Sequence, residues 1–276
     1  MNKILIVLCA LLLLSCSETK EKKHSTSGTQ TPVTTTVQTP LLHYTIANRY
    51  PHDELAFTEG FLFHNGVLYE STGSPDNLPQ TQSFIGSVDL KTGKINKKVE
   101  LDRNIYFGEG IVFLNNKVYQ LTYKNKLGFY YDAKSFKKIG QFTYENEEGW
   151  GMTTDGSSLI MSDGTHQLTY LDAFTLKPSK KITITENDSF VQHLNELEYI
   201  NGFIYANIWL TNNIVKIDPK TGKVVGKIDL SSLVYEVKDT HPAAAELNGI
   251  AFNPENGNVY VTGKMWPTIY ELKMAE

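Results

Sequence analysis

Sulfur chemistry is almost absent from this chain. Its 276 residues hold two cysteines, Cys9 and Cys16, and no thiol follows. Past that point disulfides, a thiolate nucleophile and cysteine-bound zinc are excluded. Long apolar runs are also missing. The stretch over residues 4–14 is too short to span a bilayer. No sign of charge dominates, with 26 Lys+Arg against 30 Asp+Glu and a formal net charge of -4. No basic cluster could track a phosphate backbone, so nucleic acid is not an expected partner. The seven histidines (His24, His43, His52, His64, His166, His193, His241) fall singly, without zinc-ligand spacing. The patterns G-x-S-x-G, H-E-x-x-H, P-loop and G-x-G-x-x-G are absent. No metal site and no required cofactor are expected.

What is present begins with a processing signal. Lys3 followed by an apolar run reads as a signal peptide. Leu13-Leu14-Ser15-Cys16 resembles a bacterial lipoprotein cleavage box, in which Cys16 becomes the lipidated N-terminus. Ser17 after it, rather than Asp, favours the outer membrane of a Gram-negative cell by the same resemblance. Residues 17 to about 40 are mostly Ser, Thr, Lys, Glu and Pro, which cannot bury enough surface to fold. The expected organisation is therefore a lipoprotein signal peptide over 1–15, a lipidated Cys16 and flexible linker over 16–40, and one catalytic domain over 41–276. The membrane would be met only through the lipid anchor, on the periplasmic side. The protein is expected to be a monomer.

The rest of the chain is rich in aromatics (15 Tyr, 13 Phe, 3 Trp) and in period-two apolar alternation. Turn signals break it at Asn65-Gly66, Asn115-Asn116, Asp155-Gly156 and Asn201-Gly202. Asn-Gly between alternating strands is a hairpin signal because both residues tolerate positive φ. One phrase recurs five times: Phe57-Thr58-Glu59-Gly60, Phe107-Gly108-Glu109-Gly110, Glu148-Gly149-Trp150-Gly151, Leu194-Asn195-Glu196-Leu197 and Leu247-Asn248-Gly249-Ile250. Its acidic members recur at intervals of roughly 40–50 residues, a spacing that suits four-stranded propeller blades. Four units carry four strands and the last carries three, while a lone strand over 43–49 precedes the first unit. The expected fold is all-β: a five-bladed β-propeller whose last blade is closed by an N-terminal strand. Closure removes an open edge that would invite aggregation.

In a propeller the first strand of each unit lines the central channel. Glu59, Glu109, Trp150, Asn195 or Glu196, and Asn248 should then meet at one mouth. Glu59 and Glu109 would be like charges in a confined space, which shifts pKa values and marks functional sites.

Nine ordered phrases over residues 44–273 resemble the plant-and-bacterial (papaya-type) glutaminyl cyclases. They are the repeats that carry Glu59, Glu109, Trp150, Asn195 and Asn248, together with Leu68-Tyr69-Glu70-Ser71-Thr72-Gly73, Leu159-Ile160-Met161-Ser162-Asp163-Gly164, Tyr205-Ala206-Asn207-Ile208-Trp209 and Val261-Thr262-Gly263-Lys264-Met265-Trp266. The resemblance implies that an N-terminal glutaminyl residue of a peptide or protein closes to pyroglutamyl with release of ammonia. It implies Glu109 as the proton-carrying group and Lys264 as the oxyanion stabiliser, with Glu59 and Asn195 bonding the substrate. It also implies an aromatic wall of Phe57, Phe107, Trp150, Met152 and Trp209. Tyr123 stands where family members usually have Trp, which makes the pocket smaller and more polar. Glu59 stands where some members have Gln; a second carboxylate there either binds the substrate ammonium or raises the pKa of Glu109. A structural calcium on the axis, held by main-chain carbonyls, is compatible with this reading. The alternative is a non-catalytic surface propeller that binds peptides or glycans. The two readings differ in whether Glu109, Trp150, Asn195 and Lys264 converge on one pocket.

Overall fold

The structure is a computed structural model and describes residues 38–275. The expected signal peptide, Cys16 and most of the expected linker lie outside the described residues. Strand β1 (Tyr44–Pro51) comes first. The first unit follows as β2 (Phe57–His64), β3 (Val67–Gly73), β4 (Phe84–Val88) and β5 (Ile95–Glu100). The second is β6 (Gly108–Leu114), β7 (Lys117–Thr122), β8 (Leu127–Asp132) and β9 (Lys138–Thr143). The third is β10 (Met152–Thr154), β11 (Ser158–Met161), β12 (Gln167–Asp172) and β13 (Pro178–Thr183). A small hairpin, β14 (Thr185–Glu186) and β15 (Ser189–Phe190), leads to the fourth unit: β16 (Leu194–Ile200), β17 (Phe203–Ile208), β18 (Asn213–Ile217) and β19 (Val224–Asp229). Helix α1 (Ser231–Thr240) precedes the last unit, β20 (Leu247–Asn253), β21 (Asn258–Gly263) and β22 (Thr268–Met274).

Each unit is one four-stranded antiparallel sheet, and β1 pairs with β22 to complete the fifth. The innermost strands contact one another in a closed circuit, β2 to β6 to β10 to β16 to β20 and back to β2. The five-bladed propeller and its N-terminal closure are as expected. The apolar alternation builds five core clusters, one at each blade interface. Phe61, Leu68 and Val88 of the first blade pack on Ala251, Tyr260 and Ile269 of the fifth. Leu62 and Ile85 pack on Ile111, Val118 and Phe129 of the second. Outer strands carry exposed lysines instead, as in β5 and β13. Charge on an edge strand discourages pairing with another chain.

The hairpin turns behave as the sequence predicts. Asn65-Gly66, Asn115-Asn116 and Asn201-Gly202 all adopt positive φ at both positions. A second turn repeats where the third strand of a blade ends. The Oδ1 atoms of Asp89, Asp132, Asp172 and Asp218 each accept a main-chain N–H two or three residues on. These bonds hold all four carboxyls below the usual aspartate range.

Helix α1 falls where the sequence reading has no element. Its buried face is only Leu233, Val234 and Val237, too short a pattern to stand out from the strand alternation around it. Hairpin β14–β15 was likewise not anticipated, although Asn187-Asp188 takes positive φ at both turn positions.

Candidate active site

The repeated phrase breaks the strand ladder at the same place in four blades. Pairing shifts between Thr58 and Gly60, between Gly108 and Ile111, between Leu194 and Leu197, and between Leu247 and Ile250. An extra residue in one strand bends it and re-aims a side chain. The re-aimed residues include Glu59, Glu109 and Asn195, and all three line one cavity of about 870 Å³. In the third blade Trp150 takes this place just ahead of β10. Close backbone packing keeps the units in register. A Cβ at Gly110 would lie 2.4 Å from Met152 N, so only glycine fits there.

Side chains from four of the five blades then fix the main chain of the next. Ser71 donates to Glu109 O at 2.6 Å, and Ser162 donates to Asn195 O at 2.7 Å. Asn207 Oδ1 accepts from Gly249 N at 3.0 Å. Asn248 closes the circuit by donating to Thr58 O at 2.9 Å and to Glu59 Oε2 at 3.1 Å. The choice between Asn195 and Glu196 is settled by direction. Asn195 lines the cavity, whereas Glu196 accepts from Phe61 N and Ile250 N at 3.2 and 2.8 Å and ties three blades together.

Nine of the ten expected site residues line this cavity: Phe57, Glu59, Phe107, Glu109, Tyr123, Trp150, Asn195, Trp209 and Lys264. Glu109, Trp150, Asn195 and Lys264 therefore converge. Met152 is the correction. It is 1 % exposed and packs with Val112, Tyr119 and Leu159 in the core between the second and third blades. Its phrase is continuous with Trp150, but Met152 already pairs with Met161 inside the ladder and faces the blade interface. Phe57, Phe107, Trp150 and Trp209 line the cavity. Phe57 and Phe107 meet edge to face at 6.1 Å, Tyr123 leans on Phe107 at 5.6 Å, and Trp150 meets Trp209 edge to face at 5.5 Å. Gly73 leaves the space that Phe107 fills, since a Cβ there would sit 2.1 Å from the ring.

The polar end of the cavity is buried and charged. Glu59, Glu109, Asn195 and Lys264 are 2 %, 4 %, 3 % and 6 % exposed. Lys264 Nζ donates to Glu59 Oε1 at 2.7 Å and lies 4.6 Å over the Phe57 ring. An ammonium has three donors, and this contact uses one. Glu109 Oε2 and Asn195 Oδ1 make no hydrogen bond within the protein. Burial pushes the Glu59 carboxyl up to about 7 against the pull of Lys264. Burial and then the neighbouring Glu59 charge raise Glu109 well above the ordinary carboxylate range. Burial works against the Lys264 charge, but Glu59 and Glu109 overcome it and hold the ammonium up. The ionised form of Glu59 is favoured by its pairing with Lys264, and its charge in turn favours the protonated form of Glu109.

Other lining residues escaped the sequence reading. Glu148 accepts from Trp150 Nε1 at 2.9 Å and sits 3.7 Å from Lys124. It stands in the recurring phrase, so its position was a legible signal. Glu246, Arg103, Asp163 and His193 also line the cavity, from connections that repeat nothing. Among the described residues no group of three or more His, Cys, Asp or Glu side chains is placed to hold a metal.

These titrations set an expected stability profile. Folding raises Glu59 to about 7, Glu198 to about 8, and Glu109 and Glu196 as well. A raised carboxyl contributes stability that is complete below its unfolded pKa and is lost as pH rises through the folded one. The lowered aspartates act oppositely and lose their contribution only in stronger acid. Calorimetry across pH should therefore find the highest Tm in mild acid and a decline through pH 7 to 8. A Tm that climbs from pH 5 to 8 would refute these assignments.

The comparisons with known proteins agree with this geometry. A family model described as glutamine cyclotransferase matches residues 7–274. The chain is 39 % identical over 233 residues to a glutaminyl-peptide cyclotransferase of Arabidopsis thaliana, covering 84 % of this chain and 71 % of that one. The crystal structure of Myxococcus xanthus glutaminyl cyclase superposes with a TM-score of 0.75 at 33 % identity, over 85 % of this chain and 98 % of the other. With its five blades closed and its carboxyl groups, lysine and aromatic wall gathered at one mouth, the chain belongs to the glutamine cyclotransferase family.

Proposed function

We propose that this protein is a glutaminyl-peptide cyclotransferase, converting the N-terminal glutaminyl residue of peptides or proteins to pyroglutamyl and releasing ammonia. The observation that carries this reading is the pair of unpartnered buried atoms, Glu109 Oε2 and Asn195 Oδ1, in one aromatic-walled cavity with Lys264. Such atoms are costly to bury unless a ligand completes them.

In the reaction the substrate α-nitrogen bonds to the side-chain amide carbon, and the bond from that carbon to its amide nitrogen breaks. Both reacting groups belong to one residue, so the protein has only to hold the near-attack conformer. The aromatic faces of Phe107, Trp150 and Trp209 grip the side chain. Asn195 Oδ1 accepts from the substrate's N–H groups. The remaining Lys264 donors face the oxygen on which negative charge develops. A carboxyl whose affinity for its proton is raised by burial and a neighbouring charge can give that proton to the departing nitrogen and take one back from the attacking amine, so Glu109 ends as it began. Glu59 holds Lys264 in place and, by its charge, favours the protonated form of Glu109.

The direct test incubates the soluble domain with a glutaminyl peptide and follows ammonia release and the matching loss of mass. Catalysis above the spontaneous rate is expected, unchanged by a chelator, because no residue of the proposed set needs a metal. Binding without turnover would favour the peptide- or glycan-binding alternative. A Tm lowered by chelator with activity intact would reveal a structural calcium. The proposal extends to tethering in the cell envelope through Cys16, which membrane fractionation of a Cys16→Ala variant tests.

A further inference from the structure

A second buried ion pair lies behind the cavity and lines none of it. His52 sits between β1 and β2, and Glu70 sits on β3. His52 Nε2 is 3.0 Å from Glu70 Oε2, and both side chains are fully buried. The other ring nitrogen, Nδ1, is 2.8 Å from Trp266 O. Trp266 O can only accept, so Nδ1 donates to it, with Thr262 Oγ1 3.2 Å from the same nitrogen; a Glu70 carboxylate accepts from Nε2, which makes the imidazole the cation of an ion pair. Burial works against that charge and Glu70 overcomes it, holding the histidine above its ordinary value.

This pair holds both members of the Glu59–Lys264 couple from outside. On one side Glu70 Oε1 accepts from Thr58 Oγ1 at 2.7 Å, and Thr58 immediately precedes Glu59. On the other side His52 grips Trp266 O, two residues past Lys264. Two main-chain bonds reinforce that grip, Met265 N to Ala56 O at 2.7 Å and His52 N to Pro267 O at 2.9 Å. The gripped loop needs holding, because Met265 has φ +59°, a conformation side-chain-bearing residues seldom adopt.

We propose that the His52–Glu70 pair is a positioning device for the reaction: it fixes Lys264 against Glu59 and so sets where the lysine presents its free donors. This rests on the reading that Lys264 and Glu59 serve the cyclisation. The charged groups around His52 are Glu70 and Asp53. Those around Glu59 are Lys264, Glu246 and Glu196, with Glu109 coupled to it across the cavity.

The test uses His52→Gln and Thr58→Val in the full propeller, assayed well below their melting temperatures. Thr58→Val is nearly isosteric and leaves the ion pair intact, so it reads the Glu59 arm even where His52→Gln fails to fold. For His52→Gln, kcat should fall about 10- to 100-fold with KM within about threefold, as for a misplaced catalytic group. The acid limb of the kcat/KM profile should move upward as Glu59 loses Lys264. Thr58→Val should move the same limb in the same direction with a smaller loss. A lowered Tm with kcat, KM and pH profile unchanged would reduce the pair to a structural role and overturn the proposal. Should the wild type cyclise no glutaminyl peptide, the functional reading falls separately. The positioning claim is then read by 13C NMR titration of the Glu59 carboxyl, whose midpoint should rise in both variants; an unmoved midpoint overturns it.

Discussion

Glu109→Gln yields a folded protein that cyclises glutaminyl peptides about 10²–10⁴ times more slowly than wild type, with KM nearly unchanged. The loss falls on kcat because the proton is moved only as the bonds change. Glutamine is the neutral isostere of the protonated form, which burial and the Glu59 charge both favour. Cavity shape and aromatic grip should therefore survive. The amide cannot release a proton to the departing nitrogen and recover one from the attacking amine. Stability should move the other way. Wild type must bury a reluctant carboxyl that becomes costlier with rising pH, and the variant carries no such group. Its Tm at pH 8 should equal or exceed that of wild type. A kcat within tenfold of wild type would take the shuttle away from Glu109 and turn attention to Glu59.

Much of this arrangement is legible in the sequence itself. Local signals survive translation into residues. Asn65-Gly66 and Asn201-Gly202 encode their turns because few other residues accept positive φ twice in succession. The recurring phrase encodes the blade count because four of the five blades bulge at the start of the innermost strand, and in the other Trp150 takes the same place. The aspartates that hold the turns at Asp89, Asp132, Asp172 and Asp218 are visible as a repeat too.

Long-range pairings are a different matter. Lys264 is expected from resemblance as a free oxyanion donor, yet it is bonded to Glu59 across 205 positions of sequence. The His52–Glu70–Trp266 network is closed by ring closure itself, which brings the first and last blades together. No composition or spacing encodes that meeting. Met152 fails for a related reason. Its phrase is continuous with Trp150, but the strand ladder resumes at Met152 and sends its side chain into the core.

Lys264→Met carries the second large effect, and its signature is how it varies with pH. Two losses occur together. The developing oxyanion loses a charged donor in a buried site, which costs about 10²–10³ in kcat. Glu59 loses the partner that opposes the effect of burial, so its folded pKa should climb beyond about 7. At pH 5 Glu59 takes up a proton in either protein, and the variant should be only slightly less stable. Above pH 7 wild type carries an ion pair there, whereas the variant must carry either a lone charge or a proton that solution no longer supplies readily. The penalty should grow with pH toward the roughly 3–5 kcal/mol typical of a broken buried pair. Glu59→Gln combined with Lys264→Met removes both charges. Stability at pH 8 should return close to wild type while kcat stays low, because neutralising the carboxyl restores no oxyanion donor. That split separates what the pair does for the fold from what the lysine does for the reaction. Equal destabilisation of Lys264→Met at pH 5 and pH 8 would mean that Glu59 does not titrate in the folded protein. Recovery of kcat in the double variant would mean that the lysine serves the carboxylate and not the oxyanion.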